Sequence, residues 1–265
     1  MNKIAFITFI TFLAFVFQAQ AQNDIRFGFQ ASPNLTWINS NDNTINREGS
    51  NIGLRLGVMG EYYFAERYAI TGGLGFAFGQ GGGLKHDIGG NFFKESELSN
   101  PNLNTGQKPL PDGVILGYKI QYIEIPIGLK MRTDEIGYFR YFAEIPVFTL
   151  GFKAQSRGTI EGTDMAGNKI DEDDLDISKD VNPLNISWGL GGGIEYSFTS
   201  SAVLVAGLYY NNSFIDITDN DANKATTFID GGDDPNTTLD DNYETRKEDS
   251  KVNMGSITLR IGILF

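Results

Sequence analysis

The chain ends in the stretch SITLRIGILF, residues 256–265, and this stretch decides the fold class. Large apolar residues recur in it at every second position, and the residues between them are small or charged, with Leu264 as the one exception. Successive side chains leave a β-strand on opposite faces, so the alternation predicts a strand with one apolar face. Whether that apolar face meets a protein core or lipid determines the class of protein.

Further segments of the chain repeat this alternation, and together they predict eight strands. They are residues 25–37, 52–64, 68–78, 118–132, 138–152, 184–198, 202–214 and 252–265. Three short turns alternate strictly with four long polar segments, which are rich in Gly, Asn and Asp and are predicted to be loops, at about residues 38–51, 79–117, 153–183 and 215–251. This order describes an up-and-down meander of antiparallel strands.

The polar face of these strands is made largely of Gly, Ala, Ser and Asn, with single charges. A soluble lipocalin-like barrel or sandwich shows the same alternation, but a water-facing strand face usually carries Lys, Glu, Thr and Gln. Small side chains suit the crowded interior of an eight-stranded barrel, and a continuous outward apolar band is required in lipid. We therefore predict an all-β, eight-stranded antiparallel up-and-down transmembrane β-barrel, with outer-membrane lipid as its surroundings.

The first residues predict export. Lys3 precedes an apolar run over residues 4–17, and Ala-Gln-Ala at residues 19–21 is a cleavage site, so residues 1–21 are predicted to be a signal peptide and residues 22–265 the barrel. The chain contains no cysteine, which excludes disulfides, thiolate metal sites and a lipid anchor at the cleavage site. A net charge of −12 argues against nucleic acid as a partner.

Aromatic residues cluster beside the short turns and predict the orientation. Short turns of such barrels lie on the periplasmic side, and aromatic girdles mark the membrane interfaces. We therefore expect outer-membrane localisation, with both termini periplasmic and the long loops extracellular. The girdle residues are Tyr62, Phe64, Tyr68, Tyr138, Phe139, Tyr141, Tyr196, Phe198 and Phe265.

The central stretch YKIQYIEIPIGLKMRTDEIGYFRYFAEIPVFTLGFKA, with GGGIEYSF, LYYNNSFIDIT and LRIGILF, resembles the PorT family of outer-membrane barrel proteins over most of the mature chain. The resemblance implies an eight-stranded outer-membrane barrel, a link to type IX protein secretion and gliding, and secretion-system proteins as partners. The terminal Phe265 looks like the assembly signal that the barrel insertion machinery reads. The family has no active-site motif to match, so the resemblance implies no catalytic residue.

Nine charged residues fall on the small-residue face by this alternation. They could form a polar conduit or proton path, or a network of ion pairs that fills the lumen. Eight strands leave little open channel, and a buried charge must be paired to offset its desolvation, so we expect the network. The predicted lumen charges are Arg26, Arg55, Glu61, Glu124, Lys130, Arg140, Glu144, Glu195 and Arg260.

No catalytic, cofactor or metal site is predicted. Glu124 and Glu144 lie on neighbouring predicted strands, as a glycosidase pair would require, but Lys130 and Arg140 close by favour ion pairing. His86 is the single histidine and lies in a Gly-rich loop, so neither a Ser-His-Asp triad nor a multi-histidine zinc site can be argued.

The acidic segments are predicted to be solvated surface, including residues 171–176. One of them has partial EF-hand spacing, with Lys224 where the loop requires glycine, which disfavours a calcium site at Asp219, Asp221, Asn223 and Asp230.

The leading functional hypothesis is an interaction or assembly component of a PorT-like kind that acts through its loops and rim. The alternatives are a small-solute porin, which needs an open lumen, and a structural or adhesive barrel without a secretion role. An outer-membrane enzyme is disfavoured because no convergent catalytic residues can be identified.

Overall fold

The computed structural model describes residues 25–93, 110–163, 167–199, 201–218, 224–228, 243–246 and 250–265, and every regular element in them is a strand. Within these ranges no helix has the length and apolarity needed to cross a membrane. The strands are β1 Ile25–Ser40, β2 Ile45–Arg47, β3 Asn51–Ala65, β4 Tyr68–His86, β5 Gly90–Asn91, β6 Val114–Arg132, β7 Phe139–Thr163, β8 Lys169–Asp176, β9 Leu184–Ser197, β10 Val203–Ser213, β11 Lys224–Phe228, β12 Tyr243–Arg246 and β13 Val252–Leu264.

Eight of these strands close into an antiparallel ring in the order β1, β3, β4, β6, β7, β9, β10 and β13. The last strand returns to the first, with Phe29 opposite Ile263 and Leu35 opposite Ile257. Closure leaves no unpaired edge in the ring, which is the condition for placing strands in lipid. The predicted eight-stranded antiparallel barrel is therefore confirmed.

The C-terminal strand shows which face is inside. Ile257, Leu259 and Ile261 are 42%, 46% and 45% exposed, whereas Ser256 and Thr258 are 2% and 5% exposed. The apolar residues therefore point outward and the small polar residues point into the barrel.

The outer surface of the ring is apolar on all eight strands. The nine aromatic residues predicted to form a girdle are all exposed on it, at the end of the barrel that carries the short turns and the chain terminus. At this end the Phe27 N–H donates to the carbonyl oxygen of Phe265 at 3.3 Å, and the reciprocal bond is 2.7 Å long. An apolar surface of this extent would aggregate in water and fits lipid.

Strand pairing continues into the ranges predicted to be loops, because β4, β6 and β7 run on to His86, Val114 and Thr163. In these extensions the inward face is apolar and the outward face is polar, the reverse of the arrangement lower in the barrel. On β6, Ile123 and Ile127 point outward, but Leu116, Tyr118 and Ile120 are buried inside and Lys119 is exposed. Water replaces lipid around this upper wall, so its apolar face must turn inward.

The buried apolar side chains of the upper wall form one cluster, which we call the cap. Phe92, Phe93, Leu110, Ile177 and Ile217 from the connecting segments complete it, and each is no more than 1% exposed. Val181 joins them, and inward residues from β1, β2, β4, β6, β7, β8 and β13 converge on this group. The strand residues of the cap are Ile38, Ile45, Ala77, Leu84, Val114, Leu116, Tyr118, Ile120, Tyr122, Ile160, Ile170, Leu175, Val252 and Met254.

Candidate functional site

The charged lumen below the cap is the candidate site. Each of the nine predicted lumen charges has its side chain directed to the barrel interior or to its mouth, and none faces the apolar outer surface. The ion pairs divide them into three groups along the barrel: one at the mouth that carries the chain terminus, one in the middle and one nearer the cap.

The mouth group is centred on Lys130, which is 1% exposed. Its Nζ lies 2.5 Å from Glu61 Oε1 and also contacts the carboxylate of Glu195. The Tyr63 hydroxyl donates to Glu61 Oε2 at 2.6 Å. The Lys130 ammonium also lies 4.3 Å from the centre of the Phe142 ring, so this buried cation is compensated by two carboxylates and an aromatic face.

Three arginines surround this centre. The NH1 atoms of Arg26 and Arg132 lie 3.6 Å and 3.8 Å from Glu195 Oε2. Arg140 instead pairs with Glu135 of the adjacent turn at 2.8 Å. Three guanidinium groups therefore line the mouth, and the carboxylates within 4 Å of them are those of Glu195 and Glu135.

The middle group is centred on Glu144, which is 2% exposed. Its Oε2 accepts from Arg260 NH1 at 2.8 Å and from the Tyr209 hydroxyl at 2.6 Å, and its Oε1 accepts from the Thr71 hydroxyl at 2.5 Å. The Arg260 guanidinium lies 3.7 Å from the centre of the Tyr209 ring. The carboxylate is thus bonded on both oxygens, as a buried charge requires.

The third group joins Arg55 to Glu124, with Arg55 Nε 2.9 Å from Glu124 Oε2 and NH1 2.5 Å from the Thr258 hydroxyl. A cavity of about 40 Å³ lies between this pair and Arg260. One water molecule needs about 10–15 Å³ of such space, so the cavity has room for a few water molecules. The lumen is therefore largely filled by side chains at this level.

Glycines on the inner face make room for the large polar side chains. A Cβ atom on Gly191 would lie 2.1 Å from the Tyr209 ring, and one on Gly128 would lie 2.6 Å from Glu144 Oε1. The small residues on the inner face therefore provide the space that the buried charged and aromatic side chains occupy.

The partners of Glu144 and Glu124 differ from those expected. Lys130 is directly opposite Glu144 across the β6–β7 pair, yet it pairs with Glu61 and Glu195. Long side chains inside a narrow closed barrel reach across the lumen, so strand neighbours do not determine the ion pairs. The two carboxylates thus bind arginines of other strands, Arg260 and Arg55.

Sequence reasoning missed several residues that complete these groups, among them Thr71, which donates to Glu144. Arg132 and Tyr63 lie on the inward face of their strands by the same alternation that identified Lys130 and Glu61, so the pattern contained the signal. Tyr209 lies in residues 202–214, which are apolar on both faces and gave no assignment; its ring is buried while Tyr210 is exposed. Thr258 is on the small-residue face but carries no charge to mark it.

His86 lies outside the apolar band, packed against the cap, and is 3% exposed. Its ring centre is 4.1 Å from that of Phe92. Burial disfavours the charged imidazolium and lowers the pKa of His86 to about 4. Among the described residues no group of three or more His, Asp or Glu side chains could hold a metal ion.

The remaining predicted features lie outside the lumen or outside the described residues. The signal peptide and the four residues with partial EF-hand spacing lie outside the described residues. The acidic stretch 171–176 lies on β8, where Asp171, Asp173, Asp174 and Asp176 are exposed.

Comparison with known proteins concerns the barrel. Neisserial surface protein A is similar with 12% identity and a TM-score of 0.41, over 91% of this chain and 95% of that chain. The outer membrane protein OprG from Pseudomonas aeruginosa has 12% identity and a TM-score of 0.40, over 91% and 94%. The outer membrane protease OmpT from Escherichia coli has 11% identity and a TM-score of 0.33, over 91% and 95%. These likenesses assign no activity to this chain.

No curated protein matches the chain. The family model described as "Outer membrane protein beta-barrel domain" matches residues 18–219. Since this match covers most of the sequence and agrees with the closed ring and its apolar outer face, the chain belongs to the outer membrane protein beta-barrel domain family.

Proposed function

We propose that this outer-membrane barrel is a closed interaction or assembly component that acts through its loops and rim. The observation that carries the proposal is the filled lumen. Ion pairs occupy its lower part, and the cap brings buried apolar side chains together above them. A barrel filled in this way leaves its outer surfaces for binding.

The proposed orientation places both termini and the short turns in the periplasm and the cap on the extracellular side. The ring of exposed aromatics beside the short turns supports it, because such girdles mark membrane interfaces. Export would depend on the signal peptide at residues 1–21. Insertion would depend on the barrel insertion machinery reading Phe265.

The proposed process is type IX protein secretion or gliding, with secretion-system proteins as partners. The support is the resemblance of residues 118–154 and 259–265 to the PorT family. Deletion of the gene followed by analysis of secreted proteins tests it. We expect the type IX cargo set to disappear from the medium and precursors to accumulate in the periplasm; an unchanged set would refute the secretion role and leave a structural or adhesive barrel.

We propose that the lumen charges are structural rather than catalytic or conducting. The support is that Lys130, Glu144 and Arg55 each form an ion pair at 2.5–2.9 Å inside the barrel. The second candidate, a small-solute porin, draws on the polar lining of the lumen. Liposome swelling with small sugars separates the two: the closed barrel predicts no swelling above protein-free vesicles, and swelling that falls off with solute size would favour the porin.

A further inference from the structure

The mouth that carries the chain terminus has an arrangement of arginines that ion pairing within the barrel does not explain. We infer that it is a binding site for an oxyanion, a phosphate or carboxylate group, held between Arg26 and Arg132. The inference goes beyond the proposed function and does not depend on it.

The first support is unfilled hydrogen-bonding capacity. The NH1 atoms of Arg26 and Arg132 are buried nitrogens without a hydrogen-bond acceptor. Their distances to Glu195 Oε2, 3.6 Å and 3.8 Å, are too long for hydrogen bonds. Both nitrogens face Glu195, whose two oxygens are likewise buried without a hydrogen bond, so this carboxylate does not satisfy the two guanidinium groups. A buried donor without an acceptor is costly, and an anion entering from the mouth could supply the missing acceptor.

The second support is the local charge. Glu195 is 1% exposed and is the carboxylate nearest to Arg26 and Arg132, but it already contacts Lys130. With Glu61, which also pairs with Lys130, the three cations face two carboxylates. The site therefore keeps a positive potential that one further anion would neutralise.

The third support is that the arginine side chains are preorganised and partly exposed at the mouth. Both guanidinium groups lie over the Tyr63 ring, with Arg132 3.8 Å and Arg26 5.1 Å from its centre. Their side chains are 14% and 23% exposed. Guanidinium groups carry only donors, in a planar fork that matches the oxygens of phosphate and carboxylate, so the ligand is an oxyanion.

The test is a calorimetric titration of the refolded full-length barrel in neutral detergent with inorganic phosphate. We expect saturable binding. Arg132→Gln should weaken it about tenfold or more, since it removes a charge-assisted hydrogen bond. Glu195→Gln should tighten it several-fold, because it removes the carboxylate that competes for the same cations. Arg67→Gln is the matched control: Arg67 is at the same end but exposed, and it pairs with Asp134 at 2.5 Å.

The opposite signs separate binding from stability. A merely structural network would be destabilised by both Arg132→Gln and Glu195→Gln, whereas the anion site predicts weaker binding in one variant and tighter binding in the other. Each variant is checked for folding by its heat-dependent mobility on a gel. If Arg132→Gln does not fold, Arg26→Gln at the more exposed position replaces it.

A further arm distinguishes the source of the anion. If a phospholipid headgroup occupies the site, the titration in nanodiscs containing phosphatidylglycerol should show weaker phosphate binding than in zwitterionic nanodiscs. Equal binding in both would identify a free anion as the ligand. Absence of phosphate binding in detergent, or an Arg67→Gln effect equal to that of Arg132→Gln, would overturn the inference.

Discussion

Replacement of Glu144 by glutamine should be strongly destabilising although it changes the side-chain volume very little. Glu144 accepts hydrogen bonds from Thr71, Tyr209 and Arg260 within 2.8 Å. Glutamine can keep some of these bonds, but it leaves the Arg260 charge without its counterion. Removing one partner of a buried pair costs about 3–5 kcal/mol, which is the loss we expect in the free energy of unfolding.

The assay is reversible urea unfolding of the barrel in lipid vesicles, followed by the fluorescence of the two tryptophans, of which Trp188 faces outward. Glu135→Gln is the matched control, because Glu135 is 43% exposed at the rim and makes one ion pair, with Arg140. An exposed pair contributes about 0–1 kcal/mol. The double variant Glu144→Leu with Arg260→Met should recover much of the loss, because it removes both charges.

The reasoning would be refuted if Glu144→Gln lowered the free energy of unfolding by only ~0–1 kcal/mol, the range expected for an exposed ion pair. It would mean that water reaches Arg260 freely, and hence that the lumen is open at this level. A double variant as unstable as the single variant would show that the loss came from packing rather than from the uncompensated charge.

The remaining predictions concern the outer face, the histidine and the cap. Leu259→Arg places a charge on the apolar outer face and should cost about 2–4 kcal/mol in the same unfolding assay, whereas the inward substitution Thr258→Ser should cost much less. His86 has a folded-state pKa of about 4 against an unfolded value of 6.5, so the neutral form is favoured on folding. Its contribution is fully present above pH 6.5 and is lost as the pH falls from 6.5 towards 4, by about 3 kcal/mol in total. The difference in unfolding free energy between the wild type and His86→Phe should therefore change over that window, and a constant difference would contradict the burial. Replacing both Tyr118 and Ile120 by alanine should raise the conductance of planar bilayers above that of the wild-type barrel, and an unchanged conductance would show that the cap does not close the lumen.

The fold was predictable because a strand with lipid on one side and a narrow lumen on the other needs apolar and small residues in alternation. Each ring strand needs a lipid-compatible face and an inward face that fits a narrow lumen, and both demands act residue by residue along the chain. The inward placement of Lys130 and Glu144 followed from the same period of two.

The cap was not predicted, although its signal is present in β6. Apolar residues occupy even positions from Val114 to Tyr122 and odd positions from Ile123 to Met131. This change of phase marks the level at which lipid gives way to water. Glycines and polar residues before Tyr118 have loop composition, so the sequence predicts a loop up to residue 117. The change of phase itself lies within the predicted strand at residues 118–132.

Ion-pair partners could not be predicted either, because they depend on three-dimensional closure. Glu61 and Lys130 belong to β3 and β6, which are separated in the ring by β4. Register shifts between Ala77 and Gln80 and between Gly128 and Lys130 further change which side chains share a level. No local pattern encodes these relations.

The most direct test of the central claim uses the absence of cysteine from the chain, which permits single-cysteine labelling without background. Nitroxide labels placed one at a time at residues 256–261 and 116–125 report collisions with lipid-soluble oxygen and with a water-soluble nickel complex. We expect oxygen accessibility to peak at Ile257, Leu259 and Ile261. On β6 the outward labels stay at odd positions, but they should change from nickel-accessible at Lys119 to oxygen-accessible at Ile123. Uniform accessibility along the last strand, or nickel accessibility at Leu259, would contradict an apolar face in lipid and a polar face inside the barrel.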